Sequence, residues 1–98
     1  MFKELFIESK YAVYHDTYTN AIEAAKMFTK KQGYDLDDDE LANEIGFGPG
    51  KPKKGKTVRH TLTLFKNGKP IKGKKRLQIQ VYNRDTDSNT YELNTYIA

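Results

Sequence analysis

The sequence predicts an α+β domain in which one main helix and a short second helix pack on a three-stranded antiparallel β-meander. Three observations carry this. Apolar residues recur at helical spacing between Tyr18 and Phe28, the period switches to two near residue 57, and polar breaks divide that alternation into three runs. At 98 residues the chain has one domain's length, and we read 1–98 as a single unit. Its core is modest, because small domains bury a smaller share of their surface.

The first segment, residues 2–14, is divided between two patterns. Phe2, Leu5, Phe6 and Val13 partly suit a helix, whereas Tyr11-Ala12-Val13-Tyr14 has the aromatic and β-branched content of a strand. An additional N-terminal strand is therefore expected. The main helix follows. Asp16 or Thr17 can cap its start, Tyr18, Ala21, Ile22, Ala25 and Phe28 form its apolar stripe, and Lys30 and Lys31 sit at the negative dipole end. Gly33 supplies a left-handed stop, with Tyr34 placed to fold back on Phe28. Asp37 and Glu40 form a capping box for the second helix, about 38–45, whose buried edge is Leu41 and Ile45 and whose end is Gly46.

Residues 46–57 are rich in glycine, proline and lysine and read as an exposed basic loop. Beyond it, Val58, His60, Leu62 and Leu64 share the core face of a strand, with Arg59, Thr61, Thr63 and Phe65 on the other. Asn67-Gly68 signals a hairpin turn, and Gly73 marks a bulge in the returning strand. That strand places Leu77, Ile79 and Val81 inward and Gln78, Gln80 and Tyr82 outward. After the polar loop 83–89, Tyr91, Leu93, Thr95 and Ile97 alternate in the last strand.

Composition narrows the function classes. There is no cysteine, which excludes disulfides and thiolate metal sites and fits a reducing compartment. No run is long and apolar enough for a membrane helix, and Glu4 and Glu8 interrupt the start where a signal peptide would continue apolar. A cytoplasmic location and no membrane partner are expected. Net charge is +4, but it is unevenly spread: residues 51–76 carry eleven Lys and Arg and no acid. Such segregation speaks to an anionic partner.

Three motifs are tempting and fail on context. Gly50-Lys51-Pro52-Lys53-Lys54-Gly55-Lys56-Thr57 spells the P-loop pattern, but the chemistry needs a strand before it and a helix after it. Here the order is reversed. Asp35-Leu36-Asp37-Asp38-Asp39 and Asp85-Thr86-Asp87-Ser88-Asn89 start like calcium loops, yet the sixth and twelfth positions hold Glu40 and Gly46, then Thr90 and Tyr96. No nucleophile–base set stands out. His15 lies beside Asp16, where adjacent side chains diverge, and His60 falls on the core face as a structural histidine. We expect no enzyme, no cofactor and no metal site.

The expected binding surface is a cationic hairpin with its approach loop. Lys51, Lys53, Lys54 and Lys56 enter the first strand, Lys66 and Lys69 flank the turn, and Lys72, Lys74, Lys75 and Arg76 return along the second strand. The solvent side of the sheet adds Arg59, Thr61, Gln78, Gln80, Asn94, Phe65, Tyr82 and Tyr96, hydrogen-bonding groups interleaved with aromatics. A nucleic acid or ribonucleoprotein suits this set, since neutralised phosphates release counterions; an acidic protein surface is the alternative.

Gly55-Lys56-Thr57, Lys66-Asn67-Gly68-Lys69-Pro70, Leu77-Gln78-Ile79-Gln80-Val81-Tyr82-Asn83 and Tyr91-Glu92-Leu93-Asn94-Thr95-Tyr96-Ile97 resemble small proteins encoded by tailed bacteriophages. The likeness spans about residues 16–98. It implies a phage context: a virion accessory protein, or an early protein that inhibits a host defence or host enzyme stoichiometrically. The cytoplasm of a bacterial host, or the virion, would then be the location.

Overall fold

The computed structural model describes residues 11–48 and 50–98. Their element order is β1 (Tyr14–His15), α1 (Tyr18–Lys31), α2 (Asp38–Phe47), β2 (Thr57–Thr63), β3 (Phe65–Lys66), β4 (Lys69–Pro70), β5 (Arg76–Asn83) and β6 (Tyr91–Ile97). The class is α+β with two helices, as the change of period predicts. The sheet is larger than a three-stranded meander. Among the described residues it is four-stranded and antiparallel in the order β1-β6-β5-β2, and β3 and β4 form a separate two-stranded ribbon.

Local chemistry sets the helix ends. Thr17 Oγ1 accepts from the Asn20 amide at 3.0 Å and caps α1, while Asp16 Oδ1 accepts from the Asn89 amide and ties the helix entry to the β5–β6 loop. Gly33, at φ 94°, turns the chain after the last helical residues. Asp37 Oδ2 caps α2 through the Glu40 amide, but the reciprocal half of the capping box does not form. Glu40 instead accepts from the Thr63 amide and hydroxyl at 3.0 and 2.9 Å, docking α2 on the end of β2. The helix α2 runs past Gly46 to Phe47. The aromatic partner of Phe28 is Tyr11, edge to face at 5.4 Å, and Tyr34 carries Lys66 over its ring.

Residues 57–63 and 76–83 pair over seven positions, from Thr57↔Tyr82 to Thr63↔Arg76, without being joined by a tight turn. The connection folds out as the β3–β4 ribbon. Asn67 (φ 54°) and Gly68 (φ 78°) take the two positive-φ positions of its two-residue turn. The turn signal is thus real, but it closes a four-residue ribbon instead of the long hairpin. Gly73 is not a strand bulge: at φ 98° it lies in the bend before β5. Phe65 leaves the solvent face as well, because it bridges to Asp35 through a reciprocal pair of 2.8 Å backbone bonds and is half-buried.

Of the segment 2–14, the strand expectation over residues 2–10 lies outside the described residues. Its end is the short β1, which pairs with β6 through Tyr14↔Glu92 and is supported by the Leu93 amide donating to Val13 O.

Both helices cover one face of the sheet, α1 against β6, β5 and β1 and α2 against β2. Between the layers lie Ala21, Ile22, Ala25, Phe28 and Leu41 against Leu62, Leu64, Leu77, Ile79, Val81 and Leu93, all buried; Ile97 is half-buried at the rim. The buried polar side chains are satisfied. Thr29 donates to Ala25 O, Thr95 to Gln78 O and Asn83 to Pro52 O, and His60 has two partners described below. No helix among the described residues is long and apolar enough to cross a membrane.

Candidate functional site

With both helices on one side, alternation along the strands delivers the other side chains to an outer face that no described residue covers. Register sorts these into rows. Tyr14, Glu92, Tyr82 and Thr57 lie across the four strands; Asn94, Gln80 and Arg59 form the next row; Tyr96, Gln78 and Thr61 follow, then Arg76 and Thr63. Tyr14, Tyr82 and Tyr96 are 51%, 40% and 39% exposed, large values for rings on an otherwise polar sheet. The amides are ordered by their neighbours. Asn94 donates to Gln80 Oε1 at 3.4 Å, Gln80 to the Tyr96 hydroxyl at 3.2 Å, and Thr61 to Gln78 Oε1 at 2.9 Å.

The lysines do not join in one patch. Lys51, Lys53, Lys54 and Lys56 lie in the loop pinned to the end of β5, where the Gly55 amide donates to Asn83 O and the Asn83 amide to Lys56 O. Lys66, Lys69, Lys72, Lys74 and Lys75 belong to the ribbon and bend at the opposite end of the β2–β5 ladder. Seven paired positions at about 3.4 Å each put roughly 20 Å between the two groups. Sequence adjacency suggests one cationic hairpin. Because the ribbon folds out beyond Thr63, the outcome is two basic ends with Arg59 on the outer face between them, while Arg76, at the ribbon end, donates to Gly73 O and Lys75 O. All nine lysines are exposed.

Most acids lie in the helical segments. Residues 16–47 carry eight Asp and Glu against three Lys, and residues 50–98 carry twelve Lys and Arg against three acids. Little of this is neutralised by contact: among the described residues, the ion pair within the basic segment is Lys54–Asp85 at 3.7 Å, well exposed on both sides and of small energetic weight. Two further residues reach the outer face. Arg84 stacks 4.6 Å from the Tyr14 ring, which is visible only once β1 is known to pair with β6. Glu92, outward by the same alternation as Asn94 and Tyr96, lies between Tyr14 and Tyr82.

The P-loop lookalike is disarmed by its own backbone. It runs from α2 into β2, and the Gly55 and Lys56 amides are already donated to Asn83 O and Lys53 O. In the calcium-like stretches, Asp37 is a helix cap and Asp85 accepts the Lys54 ammonium. Among the described residues no three His, Asp or Glu gather to hold a metal. His15 turns to Ala12 O and Asp16 to Asn89, so the adjacent pair does diverge.

One polar constellation is buried. His60, 2% exposed, meets the Tyr18 hydroxyl at Nε2 and Glu44 Oε1 at Nδ1, the latter at 3.2 Å. Burial, with the Glu44 carboxylate adding to it, pushes the Tyr18 hydroxyl up to about 12. These bonds link α1, α2 and β2 through one buried histidine. The core-face placement of His60 by period-two alternation is correct.

No protein-family model matches the chain, and neither the curated proteins nor the solved structures yield a match. The functional reading therefore rests on the chain's own geometry.

Proposed function

We propose that this is a binding protein whose ligand is a nucleic acid, held on the outer sheet face between its two basic ends. The observation that carries the reading is the separation of charge: most acids in the helical segments, and cations at both ends of an outer face that no described residue covers and that bears arginine, amides and tyrosines. Repulsion among eleven cations without one acid in residues 51–76 favours an anionic ligand. A phosphate backbone along the ladder would meet lysines at each end, Arg76 at the ribbon end, and Arg59 between them.

The test is retention of DNA and RNA at low salt by wild-type protein and by a variant with Lys53, Lys54, Lys74, Lys75 and Arg76 reversed to Glu. The four lysines are exposed, where substitution usually changes stability little, and Arg76 is half-buried, so the unchanged fold is checked directly. Wild type should bind and the variant should not, with unchanged circular dichroism. Failure of the wild type to retain any nucleic acid ends the reading. A pull-down from bacterial lysate with and without nuclease then separates ligand classes. A partner that survives nuclease and is lost by the reversed variant would move the assignment to a stoichiometric inhibitor acting on an acidic protein surface, the role that the phage resemblance implies.

A further inference from the structure

Resting on that nucleic-acid reading, we propose that the outer face takes a single, unpaired strand, one base of which stacks on Tyr82 and is recognised by Glu92 through its exocyclic amino group. Exposed rings are the first ground. A duplex hides its base faces in its own stack, so an outward tyrosine has something to stack on only when bases are unpaired. Tyr82 and Tyr96 lie on neighbouring strands, and Tyr96 is opposite Gln78, four residues along β5 from Tyr82. That offset is about 14 Å along the strands. Bases resting on the two rings are therefore not adjacent, and the bound strand runs lengthwise, toward both basic ends.

Glu92 is the second ground. With Thr57, Gln80, Tyr82 and Asn94 it lines a shallow depression of about 200 Å³ on the outer face. It is the one acid among the outward side chains of the described strands. A carboxylate there repels a phosphate and can only accept hydrogen bonds. Cytosine N4 and adenine N6 donate, whereas thymine and uracil present a carbonyl oxygen at the same edge. The depression thus admits a base and favours one with an amino group.

The experiment is fluorescence anisotropy with labelled oligonucleotides of about twelve nucleotides, within the usual site size of such modules. The probes are oligo-dC, oligo-dA, oligo-dT, oligo-U and a mixed-sequence duplex. Single strands should bind more tightly than the duplex, and oligo-dC and oligo-dA about 5-fold or more above oligo-dT and oligo-U. Tyr82→Ala and Tyr96→Ala should each weaken single-strand binding by about 5- to 140-fold, and Tyr82→Phe should restore it. Glu92→Gln, whose amide can donate as well as accept, should erase the preference between oligo-dC and oligo-dT. Duplex binding equal to or tighter than single-strand binding, and unchanged in Tyr82→Ala, overturns the inference while leaving the nucleic-acid reading standing. Equal wild-type affinity for oligo-dC and oligo-dT overturns the role of Glu92. Absence of binding to every probe overturns both readings together.

Discussion

Replacing Tyr18 by Phe separates a structural from a functional role for the buried Tyr18–His60–Glu44 chain. The ring keeps its packing, including the edge-to-face contact with Tyr91 at 6.3 Å, and only the hydroxyl is lost. His60 Nε2 then has no partner, in a residue 2% exposed. An unsatisfied buried polar group costs about 1–3 kcal/mol. For a domain of this size each kcal/mol shifts the melting temperature by about 4–8 °C, so a fall of roughly 5–20 °C is expected. Thermal unfolding followed by circular dichroism reads it directly. The double variant Tyr18→Phe, His60→Leu should recover part of the loss, because no orphaned nitrogen remains. pH adds an independent check. In the unfolded chain the phenol ionises near 10, while in the folded protein it keeps its proton until about 12. The stabilisation is complete below pH 10 and disappears as pH rises to 12, so the wild type's advantage over Tyr18→Phe should shrink across that window. Nucleic-acid affinity should be unchanged, since the chain lies between the helices and the inner face of the sheet. A variant as stable as wild type, or one that loses binding while remaining stable, would refute the structural assignment.

Three further outcomes follow from the same geometry. Asp37→Ala removes the cap of α2 and should cost about 1 kcal/mol in chemical denaturation, without altering affinity. Titration of Mg-ATP or Mg-GTP in a calorimeter should give no saturable heat, because the Gly55 and Lys56 amides are already engaged; micromolar binding lost in Lys56→Ala would contradict this. Reversing Lys53, Lys54 and Lys56 alone, or Lys72, Lys74 and Lys75 alone, should each weaken nucleic-acid binding only partly, as two separate ends imply. Full loss from one end with none from the other would show that the ligand does not span the ladder.

Much of this architecture is legible in the sequence because single-element patterns are strong where the core is dry. The stripe Ala21, Ile22, Ala25 and Phe28 and the alternation of Leu77, Ile79 and Val81 each specify one buried face, and every one of these residues is buried. What escapes is long-range pairing. Nothing local says that Tyr14 joins Glu92, that Glu40 leaves its own helix start to hold Thr63, or that Asn67-Gly68 closes a ribbon outside the main sheet. The candidate site shows the same division. Arg59, Tyr82 and Tyr96 follow from alternation, whereas the splitting of the lysines between two ends depends on how the connection 64–75 folds out.

The most direct test of the central claim is the salt dependence of binding to a single-stranded oligonucleotide. An outer face about 20 Å long spans at most about six phosphates, the number at the 3.4 Å spacing of a stacked strand and fewer where the strand is extended, and each phosphate neutralised on a single strand contributes about −0.7 to the slope of log affinity against log salt. A slope near −4 is predicted if all six are contacted, becoming shallower when Lys53 and Lys54 alone are replaced by Ala. A slope near zero, or no binding at low salt, would contradict the account.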